Sequence, residues 1–311
     1  MKITVITSGG TYVDIDIYAS CIAYREFLAA CGRKAFAVSS APLTASVPEV
    51  ITSIPLIFDN YKPSESDDFI ILDVSDPAFF NKIVNHKNII EIIDHHPGHE
   101  DFWRKRAKEA GVKVQIEPIG SVATIIYEKF VGSGLENKLT ADLCKLLTAA
   151  IADNTLNLKA SITNQRDITA YSNLLKLGGL DETWTRQYLE NCEMSILGNL
   201  RNAIISDTKN MTLEKLPQKL GQLALYNHEK VLSRADTFRE AFAGCDDWAV
   251  NIISLKEGRN YIFAENEKSK AKLEKLFGKS FEGAVMRLDK LYLRKEIVAL
   301  ALDLHKNLEL Q

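Results

Sequence analysis

Short apolar runs alternate with helix-period segments along the first half of the chain. Apolar runs of this length that end at polar or glycine residues are typical of strands buried on both faces. They are ITVIT, AFAVSS, FIILDV, NIIEIID and VKVQIEPI, and helix-period segments lie near residues 19–31, 121–131 and 140–152. The alternation predicts βαβ units and therefore an α/β fold with a doubly wound, largely parallel sheet.

The helix predicted after the first apolar run has a continuous apolar face. Small and apolar residues repeat there at helical spacing, namely Ala19, Ile22, Ala23, Phe27 and Ala30. Gly32 follows them and is expected to end the helix, because glycine readily adopts the left-handed conformation found after helix ends. Gly132 and Gly178 are expected to end two further helices in the same way.

The second half of the chain begins a new pattern. Residues 164–190 have helical periodicity and end in a polar stretch, after which strands and helices are mixed. We therefore expect an N-terminal domain over residues 1–190 and a smaller C-terminal α/β domain over residues 197–311. The strands expected in the second domain are GQLALYN, WAVNIISL, NYIFAEN and GAVMRLD, and its helices are expected near residues 228–243, 267–277 and 296–309.

Composition mainly excludes classes of protein. A chain of 311 residues that is 46% hydrophobic can bury one or two ordinary cores. Five scattered cysteines suggest neither a disulfide framework nor a zinc site, so a cytoplasmic protein is expected. A net charge of -3 without a long basic run predicts no nucleic-acid partner. No apolar stretch approaches the roughly 20 residues of a membrane helix, and the first residues lack a secretory signal pattern.

Acidic side chains stand at the ends of four predicted elements. These acids and the histidines beside them are Asp14, Asp16, Asp73, Asp94 with His95 and His96, and Asp153. Ligands gather at the carboxyl ends of strands in an open parallel sheet. One such acid alone is more often a cap or turn residue, and a lone histidine pair is more often solvated. Acids gathered from four element ends would repel one another without a cation, so the pattern predicts a divalent-metal site.

These residues resemble the motifs of a known family, the DHH phosphoesterases. Within it, the chain is similar to the manganese-dependent family II inorganic pyrophosphatases and the related exopolyphosphatases. Four motifs stand in the family's order, DIDIYASCIAY at 14–24, ILDVSD at 71–76, IIDHHPGHEDF at 92–102 followed by EPIGSVATIIYE, and AAIADNTLNLKAS at 149–161. The C-terminal half resembles the DHHA2-type domain of these enzymes through SDTKNM at 206–211 and LRK at 293–295. The resemblance covers essentially the whole chain.

The resemblance implies an enzyme that hydrolyses phosphoanhydride bonds in pyrophosphate or short-chain polyphosphate. It implies two divalent cations, with manganese expected first and magnesium or cobalt as alternatives. The implied metal ligands are Asp14, Asp16, Asp73, His95 and Asp153, with Asp73 and Asp153 touching both ions. Asp73 and His96 are the implied catalytic residues, His96 as a proton donor, while Asp94 orients a ligand. The resemblance also implies a homodimer through the sheet edge of the first domain.

Basic residues of the second domain are implied to bind the substrate phosphates. They are Lys209, Arg294 and Lys295. Arginine offers a planar fork to a phosphate and lysine offers a point charge. Outside the motifs, such residues are ordinarily solvated surface charges, so their assignment depends on the resemblance.

One departure from the family bears on the substrate. The pyrophosphatases place a metal-binding histidine four residues before the first acid, but this chain has TSGGTYV there and no histidine before His86. Water or an oxygen of Ser8 or Thr11 is expected instead, and Gly9 and Gly10 could let backbone amides approach an anion. The exopolyphosphatases also lack this histidine, which favours polyphosphate. Two alternatives stay open, a phosphodiesterase acting on short nucleotides and a catalytically degenerate phosphate-binding regulatory protein.

Overall fold

The computed structural model describes residues 2–309, with side chains for residues 2–302. The chain divides into two compact units, Met1–Tyr188 and Leu189–Gln311. The division falls inside one helix, Glu182–Gly198. Each unit has its own sheet with helices, so the α/β class predicted from the periodicity is confirmed. None of the helices in the described part of the chain is long and apolar enough to cross a membrane.

A five-stranded parallel sheet forms the centre of the first unit. Its strands are β1 (Thr4–Thr7), β2 (Ala35–Ala37), β3 (Asp68–Leu72), β4 (Ile89–Asp94) and β5 (Lys113–Ile116). They lie in the order β2-β1-β3-β4-β5, and every pairing is parallel. From β1 the chain goes first to one neighbour and then to the other, so the topological switch point lies between β1 and β3. Ligands of such sheets bind at the carboxyl ends of the strands at this point.

Seven helices of the described chain begin in the first unit. They are α1 (Ile15–Ala30), α2 (Glu49–Thr52), α3 (Glu100–Ala110), α4 (Val122–Gly132), α5 (Ala141–Asn154), α6 (Gln165–Gly178) and α7 (Glu182–Gly198). Short 3-10 turns cover Pro77–Phe79, His86–Asn88 and Glu136–Lys138. Helix α1 packs against α4 and α5. It begins at Ile15, earlier than its apolar repeat suggests, because Asp14 caps it and its whole first turn is buried.

The second unit contains a mixed sheet. Its strands are β6 (Thr208–Asn210), β7 (Lys219–Leu225), β8 (Trp248–Ser254), β9 (Arg259–Phe263) and β10 (Val285–Arg287). The order is β10-β9-β8-β7-β6, with β7 and β8 parallel and the other pairings antiparallel. The helices are α8 (Leu200–Ser206), α9 (Glu229–Leu232), α10 (Ala235–Ala241), α11 (Glu267–Phe277) and α12 (Arg294–Glu309). Two apolar clusters occupy the two faces, one with α8 and α10 and the other with α11 and α12.

Candidate metal centre

Asp73 stands directly after β3, at the switch point of the sheet. Its backbone N–H donates to the carbonyl of Ile93 at 2.9 Å, which continues the pairing with β4. Its φ of 59° is left-handed, a conformation that few residues other than glycine adopt. The side chain is buried, and Oδ1 has no hydrogen-bond partner among the described residues. Backbone strain and an unpaired buried oxygen on the same residue indicate a functional position.

The ring of His95 presents a lone pair to Asp73. Its Nδ1 lies 2.9 Å from the carbonyl oxygen of Ile119. A carbonyl oxygen only accepts, so Nδ1 carries the proton and Nε2 of the neutral ring is the acceptor. Nε2 lies 3.2 Å from the buried Asp73 Oδ1. Adjacent ligands of a cation with bonds of about 2.1 Å are about 3 Å apart, so this pair fits a metal ion.

Asp94 holds the second histidine of the motif. Its Oδ1 accepts hydrogen bonds from the backbone N–H groups of His95 and His96, at 2.7 and 3.2 Å, and lies 2.8 Å from His96 Nδ1. The His96 side chain is 57% exposed. Burial acts to lower the pKa of His96, but the hydrogen bond to Asp94 and the charge of Asp73 raise it above the ordinary value. His96 therefore keeps Nδ1 on Asp94 and leaves Nε2 for solvent or a ligand.

Asp73, His95 and His96 form a compact set of donors. One ligand atom from each lies within 4.8 Å of those of the other two. His96 Nδ1 is 3.9 Å from Asp73 Oδ1, farther than His95 Nε2. Because that Nδ1 is occupied by Asp94, any metal bond from His96 would have to come from Nε2.

Two acids of the first motif lie at the start of α1. Asp14 is its N-cap, and Oδ1 accepts the backbone N–H of Ile17 at 3.0 Å. Asp16 is completely buried in the first turn. Its hydrogen-bond donors are Ser20 Oγ, Ser121 Oγ and Ala123 N on Oδ1, and Val122 N on Oδ2. Asp16 thus joins the first turn of α1 to the first turn of α4, and Oδ2 accepts a single hydrogen bond.

Asp153 lies in the last turn of α5, close to the other acids. Burial and the charges of Asp14 and Asp16 raise its pKa to about 7. Burial raises the pKa of Asp14 to about 6, against the hydrogen bond from Ile17 and with the charge of Asp16. Burial, Asp16 and Asp14 raise the pKa of Asp73 well above its ordinary value. Burial and neighbouring carboxylates thus disfavour the charged forms of Asp14, Asp73 and Asp153, and a bound cation would reverse this preference.

The chain after α5 is unusually strained. Leu156, Asn157 and Leu158 have φ values of 51°, 55° and 64°, three consecutive left-handed residues without glycine. This turn directly follows Asp153 in the fourth motif. The Tyr188 hydroxyl donates to the carbonyl of Ser46 at 2.9 Å. Burial raises the pKa of Asp153, and the neighbouring Tyr188 acts to lower it. Nothing in the local sequence marks Tyr188 or the Ile119 carbonyl as part of the site, because their partners lie far away along the chain.

Gly10, the second glycine of the pair before the first motif, has a different role from the one expected. Gly10 donates its N–H to the carbonyl of Phe79 at 2.9 Å. A Cβ on Gly10 would lie 3.1 Å from Asn81 Cα, so the absent side chain lets two loops approach closely. The expectation that the Gly10 amide approaches an anion was therefore wrong. Ser8, one residue beyond β1, is 1% exposed, and its Oγ has no hydrogen-bond partner among the described residues.

In the second unit, Arg294 is only 9% exposed. Its Nη1 donates to the carbonyl oxygens of Asp207, at 2.5 Å, and Leu220, at 3.4 Å, and its Nη2 donates to Asp207 Oδ1. Burial raises the pKa of Asp207 above its ordinary value, although the charges of Arg294 and of Lys209, which is exposed on β6, act to lower it. Lys295 is the exposed residue after Arg294. Lys209 and Arg294 therefore share one carboxylate as a neighbour.

Comparison with known proteins gives a family match within the first unit. Residues 3–151 match the DHH family, N-terminal domain. The first unit is therefore similar to the N-terminal domain of the DHH family. The match includes every sequence-predicted site residue of the first unit except Asp153, which lies two residues beyond it.

Relatives and solved structures extend the likeness beyond the DHH domain. Two relatives are provisionally named manganese-dependent inorganic pyrophosphatases. One, from Exiguobacterium sp., is 23% identical over 84% of this chain and 81% of its own length. The other, from Bacillus licheniformis, is 22% identical over 88% of this chain and 89% of its own length.

Two crystal structures share the fold across both units. A Methanococcus jannaschii protein provisionally assigned as a family II inorganic pyrophosphatase has a TM-score of 0.64, with 20% identity over 97% of this chain and 98% of its own. An exopolyphosphatase-related protein of Bacteroides fragilis has a TM-score of 0.54, with 15% identity over 100% and 94%. At these low identities the solved structures establish only the fold, so the activity is inferred from the site.

Proposed function

We propose that this DHH protein hydrolyses phosphoanhydride bonds in pyrophosphate or short-chain polyphosphate, with divalent cations as cofactors. One observation carries most of the support, the 3.2 Å between His95 Nε2 and the buried Asp73 Oδ1, which is close to the spacing of adjacent ligands of one cation. The relatives named as manganese-dependent pyrophosphatases support a phosphoanhydride substrate.

The donor set suits two hard or borderline cations. We infer that the ligands are Asp14, Asp16, Asp73, His95 and Asp153. Carboxylates with one imidazole favour manganese and also accept magnesium or cobalt. When bound, such cations lower the pKa of water and neutralise charge on a phosphoryl group. The protein's own part is to hold the acids together at the end of the sheet, where their raised pKa values already disfavour the cation-free charged state.

His96 is the proposed proton donor. Asp94 fixes its ring through Nδ1 and leaves Nε2 exposed, so Nε2 can deliver a proton to the leaving phosphate oxygen. The raised pKa of His96 increases the protonated fraction near neutral pH. Asp94 therefore acts as an orienting residue for both histidines of the motif.

Lys209, Arg294 and Lys295 are the proposed phosphate-binding residues. Arg294 has five N–H groups, and the hydrogen bonds within the described chain use three of them. The other two are enough for one bidentate contact with a phosphate. The ion pair with Asp207 keeps the guanidinium in one orientation, so little side-chain entropy is lost on binding.

A substrate panel tests the proposed function. Phosphate release from pyrophosphate, tripolyphosphate and a dinucleotide would be measured with manganese, magnesium and cobalt in turn. We expect phosphate from the first two substrates, fastest with manganese. Cleavage of the dinucleotide, with no phosphate released from pyrophosphate or tripolyphosphate, would indicate the phosphodiesterase alternative. Binding of pyrophosphate without turnover would indicate a regulatory protein.

The same substrate panel tests the expected preference for polyphosphate over pyrophosphate. Without an imidazole before Asp14, the first cation has fewer protein donors, and a longer phosphate chain can supply extra oxygens. Tripolyphosphate is therefore expected to be cleaved with a kcat/KM at least equal to that of pyrophosphate. A preference for pyrophosphate above about a hundredfold, or about 2.7 kcal/mol, would contradict this. In that case Ser8 is the first residue to substitute, because its Oγ has no hydrogen-bond partner among the described residues.

A further inference from the structure

Three amide side chains interrupt the apolar interior of the second sheet. Asn251 on β8 and Asn260 on β9 are both 0% exposed, and Gln222 lies next to Asn251 on β7. The other residues of β8 are also buried, and most of them are apolar. A buried amide costs free energy unless its hydrogen bonds are satisfied, so the partners of these three side chains matter.

The two asparagines bind the backbone of Tyr292. Asn260 Nδ2 donates to the Tyr292 carbonyl at 2.7 Å, and Asn260 Oδ1 accepts the Tyr292 N–H at 3.1 Å. Asn251 Nδ2 donates to the same carbonyl at 2.9 Å, and Asn251 Oδ1 accepts from Asn260 Nδ2 at 2.5 Å. The amides therefore fix both peptide groups of a residue that lies just before α12.

Gln222 binds the first residue of α12. Its Oε1 accepts the Arg294 N–H at 2.6 Å. The first backbone N–H groups of a helix have no partner within the helix, so this side chain acts as an external cap. The backbone N–H of Gln222 donates to the Asp207 carbonyl at 3.1 Å, and that carbonyl also accepts from Arg294 Nη1. Gln222 thus links Arg294 to the residue two positions before Lys209.

We propose that Gln222, Asn251 and Asn260 are positioning residues that hold Arg294 in place to bind phosphate. The proposal rests on the proposed function, since it assigns these amides to the phosphate-binding residues. Rigid strands on one side and a fixed helix start on the other leave the guanidinium few alternative positions. Such preorganisation raises affinity because less conformational freedom is lost on binding.

Gln222→Leu is the most direct test. Gln222 is partly buried, so leucine fits the strand. The substitution removes Oε1, which accepts the Arg294 N–H at 2.6 Å and also accepts from Asn251 Nδ2 at 3.4 Å. Gln218→Leu is the matched control, because Gln218 lies in the same unit and its side-chain contact is to Cys245. Calorimetry on the full-length protein with manganese would measure the affinity for imidodiphosphate, a non-hydrolysed pyrophosphate analogue. Loss of one hydrogen bond to a preorganised group is expected to weaken binding about tenfold, with manganese affinity unchanged.

A double-mutant cycle separates positioning from general damage. If Gln222 acts through Arg294, then Gln222→Leu should weaken imidodiphosphate binding in the wild type but add nothing in Arg294→Ala. In turnover, Gln222→Leu should raise KM more than it lowers kcat, whereas Gln218→Leu should change neither. If Arg294→Ala fails to fold, Gln222→Leu and its control still test the positioning role. Their imidodiphosphate affinities and their changes in KM and kcat are then compared.

The outcomes distinguish this inference from the proposed function. Additive effects in the cycle, or wild-type affinity in Gln222→Leu, would overturn the positioning role while turnover by the wild type upheld the function. If the wild type binds imidodiphosphate but releases no phosphate from pyrophosphate or tripolyphosphate, the proposed function is wrong. The double-mutant cycle would still test the positioning role. A wild-type protein with no affinity for imidodiphosphate would overturn both.

Discussion

At the scale of single residues, Asp73 combines three unfavourable features. Its backbone is left-handed, its Oδ1 is buried without a hydrogen bond, and the neighbouring acids raise its pKa. Each feature lowers the stability of the cation-free protein, and a bound cation would offset the last two. Retaining such a residue makes physical sense where a ligand repays its cost.

Asp73→Asn separates stability from function. Asparagine tolerates the left-handed conformation and removes one charge from the cluster. The metal-free variant is therefore expected to be more stable than the wild type by about 1 kcal/mol, or a few degrees in Tm. Its activity should fall at least a hundredfold, because a neutral amide is a poor bridging ligand. Thermal unfolding with and without manganese checks this, and a manganese-induced Tm increase equal to that of the wild type would refute the ligand role of Asp73.

His96→Gln tests whether this histidine donates a proton or binds a metal. Its Nδ1 is held by Asp94, while its position within the compact donor set also allows a metal bond from Nε2. For a proton donor, kcat should fall by about 10² to 10⁴, with a smaller change in KM and manganese affinity unchanged. Calorimetric titration with manganese is the deciding measurement. A large loss of manganese affinity would reassign His96 as a ligand.

At the scale of elements, the start of α4 supports the first motif. Ser121 caps the helix, and Ser121, Val122 and Ala123 all donate to Asp16. Gly120 precedes the cap, and its N–H donates to Asp167 Oδ2 at 3.0 Å. The position of Asp16 thus depends on how closely the chain around Gly120 approaches α6.

Gly120→Ala is expected to disturb that approach. A Cβ there would lie 2.6 Å from Thr155 Cγ2 and 2.7 Å from Asp167 Oδ2, so backbone or side chains must shift. We expect a loss of about 1 to 3 kcal/mol in the free energy of unfolding, and weaker manganese binding because Asp16 moves. Gly132→Ala, at the other end of α4, is the control. Nothing lies within 4 Å of its Cβ, so it should be neutral or stabilise by up to about 1 kcal/mol. Urea unfolding of the two variants gives the comparison, and equal losses would argue against the contact.

At the scale of the whole molecule, one carboxylate joins distant segments of the first unit. Asp67, just before β3, accepts the Ile3 N–H on Oδ1 at 3.1 Å. Its Oδ2 accepts from the Tyr61 hydroxyl and the Ser64 N–H, both at 2.7 Å. Burial acts to raise the pKa of Asp67, but these hydrogen bonds lower it below the ordinary value.

Asp67 should make the stability of the protein depend on pH. A folded-state pKa below the unfolded value gives stability above the unfolded pKa, and this stability is lost as pH falls through the folded pKa. Asp67→Asn should therefore be less stable than the wild type near pH 7, with a difference that shrinks between about pH 5 and pH 2. Urea unfolding at several pH values measures it. A constant difference across that range would show that the charge of Asp67 is not responsible.

The amino-acid sequence alone determined the elements and the places where acids end them. The apolar runs predicted all five strands of the first sheet. The central strands β1, β3 and β4 are almost entirely buried and therefore need a nearly continuous apolar run, whereas β5, at the sheet edge, is only partly buried. The start of α1 at Ile15 was not predicted, because Asp16 and Tyr18 interrupt the apolar pattern and are buried only through tertiary contacts. Acids at strand ends were identifiable because parallel strands share one carboxyl edge.

The tertiary structure alone decided what each of those residues contacts. The carbonyl of Ile119 sets the lone pair of His95 from 24 positions away, and the Gln222 side chain caps Arg294 from 72 positions away. The sequence interval between such partners carries no signal, because a backbone carbonyl or an amide side chain can pair with many donors. Only the folded chain selects one partner, because it brings the two groups together and buries them away from water and from other hydrogen-bonding groups.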